Sequence, residues 1–587
     1  MKNKKTRFLP LYVIGGIAFL TMVVMIILTY TIWNTTLKVE AAQIDDTQNV
    51  RVTWDTSKGV DNVKINVSHK GSQFYSITLS SSKDIMKGYY DVPAFYGKQT
   101  VSVTAKKALY STTRTATVDV SADEYVIAPL VATMPVTLFT LELENITDNY
   151  TIPAFVWFER SGAWDWTQLP ENVYPMPIAN GSSFLNTTVQ NMYTQTSAWI
   201  KELYEINNTS KFNLYYCDYW CHGAVQATYA NGIPEENFKI FLLSDGSASA
   251  SAFNKNFNDD ATFDANYASM AQKWSELKTE VASKKKYSTS IFESYKISPE
   301  DLGDYAFVMT KEEANIEWWV TRYSGTFAKN TTYVYNREIG GPYKVNQSDE
   351  EYVTEDAQGN TLTNALAYTG KLKAKDLKSL LLAIQADAEK EANLKKLYHL
   401  SDEMFAEAVA QNKKVMVVLG TYPEDGFEAF VKFTKAYYGD EYVYYYKGHP
   451  RYPTQLTPGK QEYLTNLGLI DIDSTIPAEI IFFFNPDAYC TGYDSTTYGS
   501  LPDEQVCGIY NKRKATFNPE WKDYIDFYVS AVNTDDATYG SLVEAGSNSF
   551  VIEFTDTSVY DTAIYNLTTN TFTYYKHNGE NYQVVNA

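Results

Sequence analysis

The chain has 587 residues, 44% of them hydrophobic and 20% charged, with 48 tyrosines and a formal net charge of −20. That length accommodates several domains, each with its own core. The acidic balance argues against a nucleic-acid partner, which needs a basic stripe, but leaves room for a local basic pocket around one phosphate.

At the amino terminus Lys2, Lys4, Lys5 and Arg7 precede an apolar stretch over residues 8–33. A stretch of about 20 apolar residues crosses a bilayer, and a basic flank stays cytoplasmic. The expectation is a cytoplasmic tail (1–7) and a transmembrane anchor (8–33), making a single-pass membrane protein with an extracellular or lumenal catalytic part. A long signal peptide cut near Val39-Glu40-Ala41 is the alternative, and it too exports the chain. Residues 34–46 read as a polar stalk. From 47 to 124 apolar residues alternate with period two, as in Val50-Val52-Trp54, Val63-Ile65-Val67 and Val101-Val103, with turn clusters such as Lys70-Gly71-Ser72 between them. That pattern predicts an immunoglobulin- or fibronectin-like β-sandwich, without cysteines to pin it.

Residues 125–412 predict a first Rossmann-like domain, with an initial strand at 135–141, a helix over 189–204 and strands at 212–216 and 238–243. Two of the strand ends carry acids: Asp218 in Cys217-Asp218-Tyr219-Trp220, and Asp245 in Ser244-Asp245-Gly246-Ser247. Asp-Gly at a strand end is by itself a turn signal. Residues 261–410 read as polar and helical, with Trp318-Trp319 as buried core. A second Rossmann-like domain (413–587) opens with a strand at 414–419. Its loop, Gly420-Thr421-Tyr422, lacks the spacing of a dinucleotide fingerprint. The run 442–446 reads as a buried strand that delivers Lys447, Gly448, His449 and Pro450 at its carboxyl end, where open α/β sheets bind ligands. Pro450 disfavours helical backbone at His449. Ile476-Pro477-Ala478-Glu479 and Gly492-Tyr493-Asp494-Ser495-Thr496 follow, then a β-rich tail with a hairpin at 567–570.

Four cysteines fit an oxidising compartment. Cys490 and Cys507 flank the Ser495-Thr496 segment and are expected to form a disulfide. Cys217, Cys221 and His222 lack a fourth ligand and the usual spacing, so no metal is expected there.

The ordered series in the second half resembles the donor half of glycosyltransferase family 80, bacterial sialyltransferases with a two-domain GT-B fold. That family carries a Lys-Gly-His-Pro segment, an Ile-Pro…Glu segment and a Ser-Ser pair. The matches are Lys447 to Pro450, Ile476-Pro477 with Glu479, and Ser495-Thr496, a conservative departure. Its Asp-Asp-Gly-Ser motif matches at Asp245-Gly246-Ser247, with Ser244 in place of the first acid. The resemblance covers roughly 135–510 and is strong only after 413. Some members also carry an immunoglobulin-like domain ahead of the catalytic part.

The resemblance implies an inverting sialyltransferase that moves a sialic acid from CMP-sialic acid to a galactoside-type glycan or glycolipid. Asp245 is implied as the base and His449 as the leaving-group acid or stabiliser. The implied substrate contacts are Lys447, Gly448 and Pro450 around the nucleotide, Glu479 on the ribose, and Ser495 and Thr496 on the phosphate. Tyr422, on a loop that rearranges with donor, and Asp218, at the neighbouring strand end, complete the set. No cofactor is implied beyond the CMP-sugar co-substrate. Two alternatives stand beside this reading: a transferase of another CMP-nonulosonic acid, or a non-catalytic surface adhesin or sugar-binding protein on a degenerate transferase scaffold.

Overall fold

The computed structural model describes residues 9–45, 47–56, 59–107, 110–147, 152–177, 184–257, 260–298, 300–322, 372–420, 427–450, 459–493, 495–501 and 505–511, together with isolated segments within 335–363 and 514–585. Two compact units emerge. The first comprises Met1–Val126, Met176–Asn213 and Gln226–Phe238; the second comprises Ile127–Pro175, Leu214–Val225 and Lys239–Ala587.

In the first unit the period-two pattern becomes two antiparallel sheets. The strands are β1 (Lys38–Gln43), β2 (Asn49–Asp55), β3 (Asn62–His69), β4 (Ser72–Leu79), β5 (Tyr89–Pro93), β6 (Gly97–Lys107) and β7 (Tyr110–Val120), ordered β1-β2-β5 and β4-β3-β6-β7. The alternating residues Val50, Val52, Val63, Ile65, Val67, Val101 and Val103 are fully buried, as strands with one face on a core require. The segment expected to be a stalk is partly strand. β1 pairs with β2 from Lys38↔Asp55 to Gln43↔Val50, and the Gln43 amide both donates to and accepts from the Ser121 main chain.

The helix Val189–Ile206 lies in the same unit. Its Glu202 receives His69 Nε2 at 3.2 Å, Lys70 Nζ at 2.9 Å and the Lys98 N–H at 2.7 Å. Burial opposes the charge on Glu202, but these donors outweigh it and hold the carboxyl at about 2.

The apolar amino-terminal stretch forms one helix, Leu9–Thr36. Within it residues 14–28 have described side chains, and Ile14, Phe19, Leu20 and Met25 among them are exposed. Among the described residues no helix is long and apolar enough to cross a membrane, so the expected anchor finds no support there.

The second unit is mixed α/β and contains parallel sheets. The strands β8 (Glu124–Leu130), β9 (Ala154–Phe158), β10 (Val173–Pro175), β11 (Lys211–Cys217), β12 (Phe238–Leu243), β13 (Ile316–Arg322) and β14 (Leu372–Asp376) form one sheet, ordered β10-β9-β8-β11-β12-β13-β14. The amino-terminal residues of β8, β11 and β12 count with the first unit. The expected strand at 135–141 is instead part of the helix Thr133–Thr147, and the strand that opens the domain is β8. Val136, Leu138, Phe139 and Leu141 are all buried, as are Thr137, Thr140 and Glu142, so no solvent-exposed face marks a 3.6-residue period over 134–143. Thr137 and Thr140 are accommodated because each hydroxyl donates to the carbonyl four residues back, Thr133 O and Val136 O.

The other sheet begins with β15 (Lys414–Leu419), β16 (Tyr442–Lys447), β17 (Ile470–Ile472), β18 (Tyr489–Tyr493) and β19 (Val506–Asn511), all parallel and ordered β17-β16-β15-β18-β19. Six antiparallel strands, from Lys514–Phe517 to Tyr582–Val585, extend it, and within them Thr562–Asn566 pairs with Thr571–His577. The chain reverses its direction of travel at β8/β11 in one sheet and at β15/β18 in the other. Loops diverge at such switch points and leave a crevice at the carboxyl ends of the strands.

The expected disulfide is absent. All four cysteines are buried free thiols. β18 opposes Cys490 to Val506 rather than to Cys507, because the register shifts between Cys490 and Thr491.

Candidate active site

A cleft of about 390 Å3 opens at the carboxyl ends of both sheets of the second unit. From the first sheet it is lined by Thr133, Met134, Arg160, Asp245, Gly246 and Ala248. From the second it is lined by Leu419, Gly420, the Lys447 to Pro450 turn, Pro477, Ala478, Glu479, Tyr493 and Ser495 to Thr497. The structure thus brings Asp245, His449, Lys447, Gly448, Pro450, Glu479, Ser495 and Thr496 to one cleft. Two expected residues are not among them. Tyr422 lies outside the described residues. Asp218 does not line the cleft: it is buried, with 2% of its surface exposed.

Asp245 ends β12. Gly246, with φ of 56°, makes the left-handed turn that leads into the helix Ser247–Phe257. The Asp245 N–H donates to Ser249 Oγ at 2.7 Å and to Asp218 Oδ1 at 3.2 Å. Trp318 Nε1 donates to Asp218 Oδ2 at 3.0 Å. Asp218 therefore supports the main chain of Asp245, and its expected place as a substrate contact is not among the cleft-lining residues. Burial is the main force raising both carboxyls. Asp245 reaches about 6, with Arg160 pulling it down and Glu159 pushing it up. Asp218 reaches about 7, lowered by Ser249 and raised by the charge of Asp245. A carboxylate with a pKa close to the working pH is suited to accept a proton.

The ammonium of Lys447 donates to Gly448 O and to Ser474 O, both at 2.8 Å. Burial lowers it to about 8, with Glu479 acting the other way. Both bonds go to main-chain carbonyls, so Lys447 fixes the turn that carries His449 to the loop after β17. Nucleotide recognition, its expected task, is not what these bonds serve. Glu479 stands in the first turn of the helix Ala478–Phe484 and accepts the Thr497 hydroxyl at 2.9 Å. Ser495 caps a single 3-10 helix, Thr496–Ser500, its Oγ accepting the Thr497 N–H at 3.3 Å. Gly492 has φ of 120°, and a Cβ there would stand 2.2 Å from Leu419 O. Only glycine lets β15 and β18 approach this closely where their loops part.

Sequence reasoning passed over Arg160, Thr133, Ser249 and Thr497. Arg160 follows β9, and its position after an uninterrupted apolar run, 154–158, was an available signal. The other three are hydroxyl residues in segments rich in them, and nothing distinguishes them in sequence. Trp318 is buried as expected, but its indole N–H holds Asp218. No group of three metal-ligating side chains occurs among the described residues.

No protein-family model matches the chain, and no curated protein matches it in sequence. Solved structures that match the chain include three from Photobacterium. A sialyltransferase from Photobacterium damsela shares 13% identity with a TM-score of 0.44, over 80% of this chain and 90% of that one. A 2,6-sialyltransferase from Photobacterium sp. JT-ISH-224, solved in a ternary complex with CMP and lactose, shares 12% with a TM-score of 0.43, over 80% and 86%. An α/β-galactoside α-2,3-sialyltransferase from Photobacterium phosphoreum shares 12% with a TM-score of 0.43, over 66% and 91%. At these values the likeness defines neither a family nor an activity, and the functional argument rests on the site.

Proposed function

We propose that the chain is an inverting glycosyltransferase of GT-B type that moves a sialic acid from CMP-sialic acid to a galactoside. The observation that carries this reading is the shared cleft. It joins Asp245 from one parallel sheet to His449, Glu479, Ser495 and Thr496 from the other. These are the residues that the motif resemblance assigns to base, leaving group, ribose and phosphate, and they are far apart in sequence. The volume of about 390 Å3 suits a nucleotide-sugar-sized ligand rather than a macromolecular groove.

The chemistry follows from the two walls. Asp245 takes the proton of the acceptor hydroxyl as its oxygen attacks the anomeric carbon. The bond from that carbon to the CMP phosphate breaks on the opposite face, and its electron pair leaves with the phosphate. His449 donates a proton or hydrogen bond to that oxygen, and Ser495 and Thr496 hold the phosphate with their hydroxyls. Glu479, kept in place by Thr497, accepts the ribose hydroxyls. Attack and departure on opposite faces invert the anomeric centre, the geometry that two opposed groups impose on glycosyl chemistry. Another CMP-nonulosonic acid fits the same description.

The test is a screen of CMP-sugar donors against simple galactosides. Sialylated product is expected. Failure to transfer or hydrolyse any CMP-nonulosonic acid contradicts the reading and leaves a sugar-binding protein.

We also propose, from the basic flank and apolar stretch alone, that the residues after 33 face the exterior or a secretory lumen. Protease added to intact cells is expected to remove them if they are extracellular. Degradation only after the cytoplasm itself is opened contradicts this location.

A further inference from the structure

We infer that Arg160 determines donor specificity by binding the carboxylate of the transferred sugar, which restricts the donor to CMP-activated 2-ulosonic acids. This rests on the proposed transferase reading and goes beyond it by naming the group that sets the sugar class.

Arg160 leaves the carboxyl end of β9 and lines the cleft on the wall that also carries Asp245. Its Nη1 donates to Thr133 Oγ1 at 2.6 Å, so the guanidinium is anchored by a second lining residue. Its Nε is buried and has no hydrogen-bond partner among the described residues. The neighbouring carboxylate, Glu159, stands 3.9 Å from that nitrogen, an ion pair too long to be a hydrogen bond. A guanidinium presents five N–H donors in a rigid fork. Nε is enclosed by protein, so the donors an arriving anion meets are those of the Nη groups. The fork therefore has capacity for a planar anion.

The position in the cleft selects which anion. The donor offers two: a phosphate, and a carboxylate attached directly to the anomeric carbon. The phosphate falls to His449, Ser495 and Thr496 on the opposite wall. The anomeric carbon lies where attack from the Asp245 side meets departure toward His449, so its carboxylate is the anion nearest the Asp245 wall. A neutral hexose has no group to offer there and would leave Arg160 facing it unmatched. The pairing also couples binding to catalysis. In the free protein the charge of Arg160 pulls the Asp245 carboxyl down against its burial. A donor carboxylate seated on Arg160 offsets that pull and makes Asp245 a stronger base once donor is present.

Calorimetric affinities for CMP and for CMP-sialic acid test this in the wild type, Arg160→Gln and Arg160→Lys, with thermal melting to confirm that each variant folds. Arg160→Gln is expected to bind CMP as the wild type does. Its affinity for CMP-sialic acid is expected to fall roughly 10- to 100-fold, the loss of charge-assisted hydrogen bonds to an anion. Arg160→Lys, which keeps the charge but not the fork, falls between them. An equal loss for both ligands assigns Arg160 to the phosphate and overturns the inference. So does an unchanged affinity for CMP-sialic acid in folded Arg160→Gln, or a change confined to the acceptor KM. A wild-type protein that binds neither nucleotide contradicts the transferase reading itself, and the inference with it.

Discussion

The carboxylate of Asp218 accepts the main-chain N–H of Asp245 at 3.2 Å, and so sets where the cleft's acid stands without entering the cleft. Trp318 and Ser249 complete the support, the first donating to Asp218 and the second accepting from Asp245. Two strand ends, β11 and β12, are locked together by buried hydrogen bonds, so the direction of the Asp245 side chain is inherited from the sheet.

That support has a pH signature. Asp218 has a folded pKa of about 7 and Asp245 of about 6, both above the ordinary 3.8. Each carboxyl binds its proton more tightly folded than unfolded. The resulting stabilisation is full below pH 4 and is lost as pH rises through 6 to 7. Asp218→Asn does not titrate, so its stability deficit relative to wild type is expected to narrow between pH 4 and pH 8 in urea unfolding. A deficit independent of pH means that Asp218 titrates normally. The same substitution places an amide against the Asp245 and Trp318 donors, so the transfer kcat is expected to fall while CMP affinity holds.

Glu479→Gln keeps the shape of the side chain and removes its charge. The expected signature is a donor KM raised roughly 10- to 100-fold with a smaller change in kcat. Thr497→Val, which removes the hydroxyl that Glu479 accepts, is expected to shift KM the same way by less. An unchanged donor KM in both variants makes Glu479 a structural residue.

Thiol counting decides the state of the cysteines. All four are buried and unpaired, so unreduced, denatured protein is expected to release four thiols. Two thiols, with a linked peptide spanning positions 490 and 507, contradict the register in which Cys490 faces Val506.

Much of this arrangement was legible in the sequence, for physical reasons that differ by element. The period-two strands of the first unit and the uninterrupted run at 442–446 announce themselves because burial of one or both strand faces leaves a pattern. The Gly448-His449-Pro450 turn was placed at a strand end by the same logic. The helix Thr133–Thr147 was misread because its residues 134–143 are all buried and it contains β-branched threonines. The pairing of β1 was missed because its burial alternates only weakly, with no residue fully buried. Arg160, Asp218 and Thr497 share a different obstacle. Their roles depend on partners 27, 27 and 18 residues away, and such partnerships leave no local periodicity.

The most direct test of the account is the rate of sialyl transfer from CMP-sialic acid to a galactoside by wild type, Asp245→Asn and His449→Ala. A positioned acid or base contributes about 10²–10⁴-fold. Asp245→Asn is expected to lose transfer by that order while CMP binding stays intact. His449→Ala is expected to lose both transfer and the slow hydrolysis of donor, because charge builds on the departing phosphate in either reaction. Transfer by Asp245→Asn at the wild-type rate contradicts the claim that this carboxylate is the acceptor-side base.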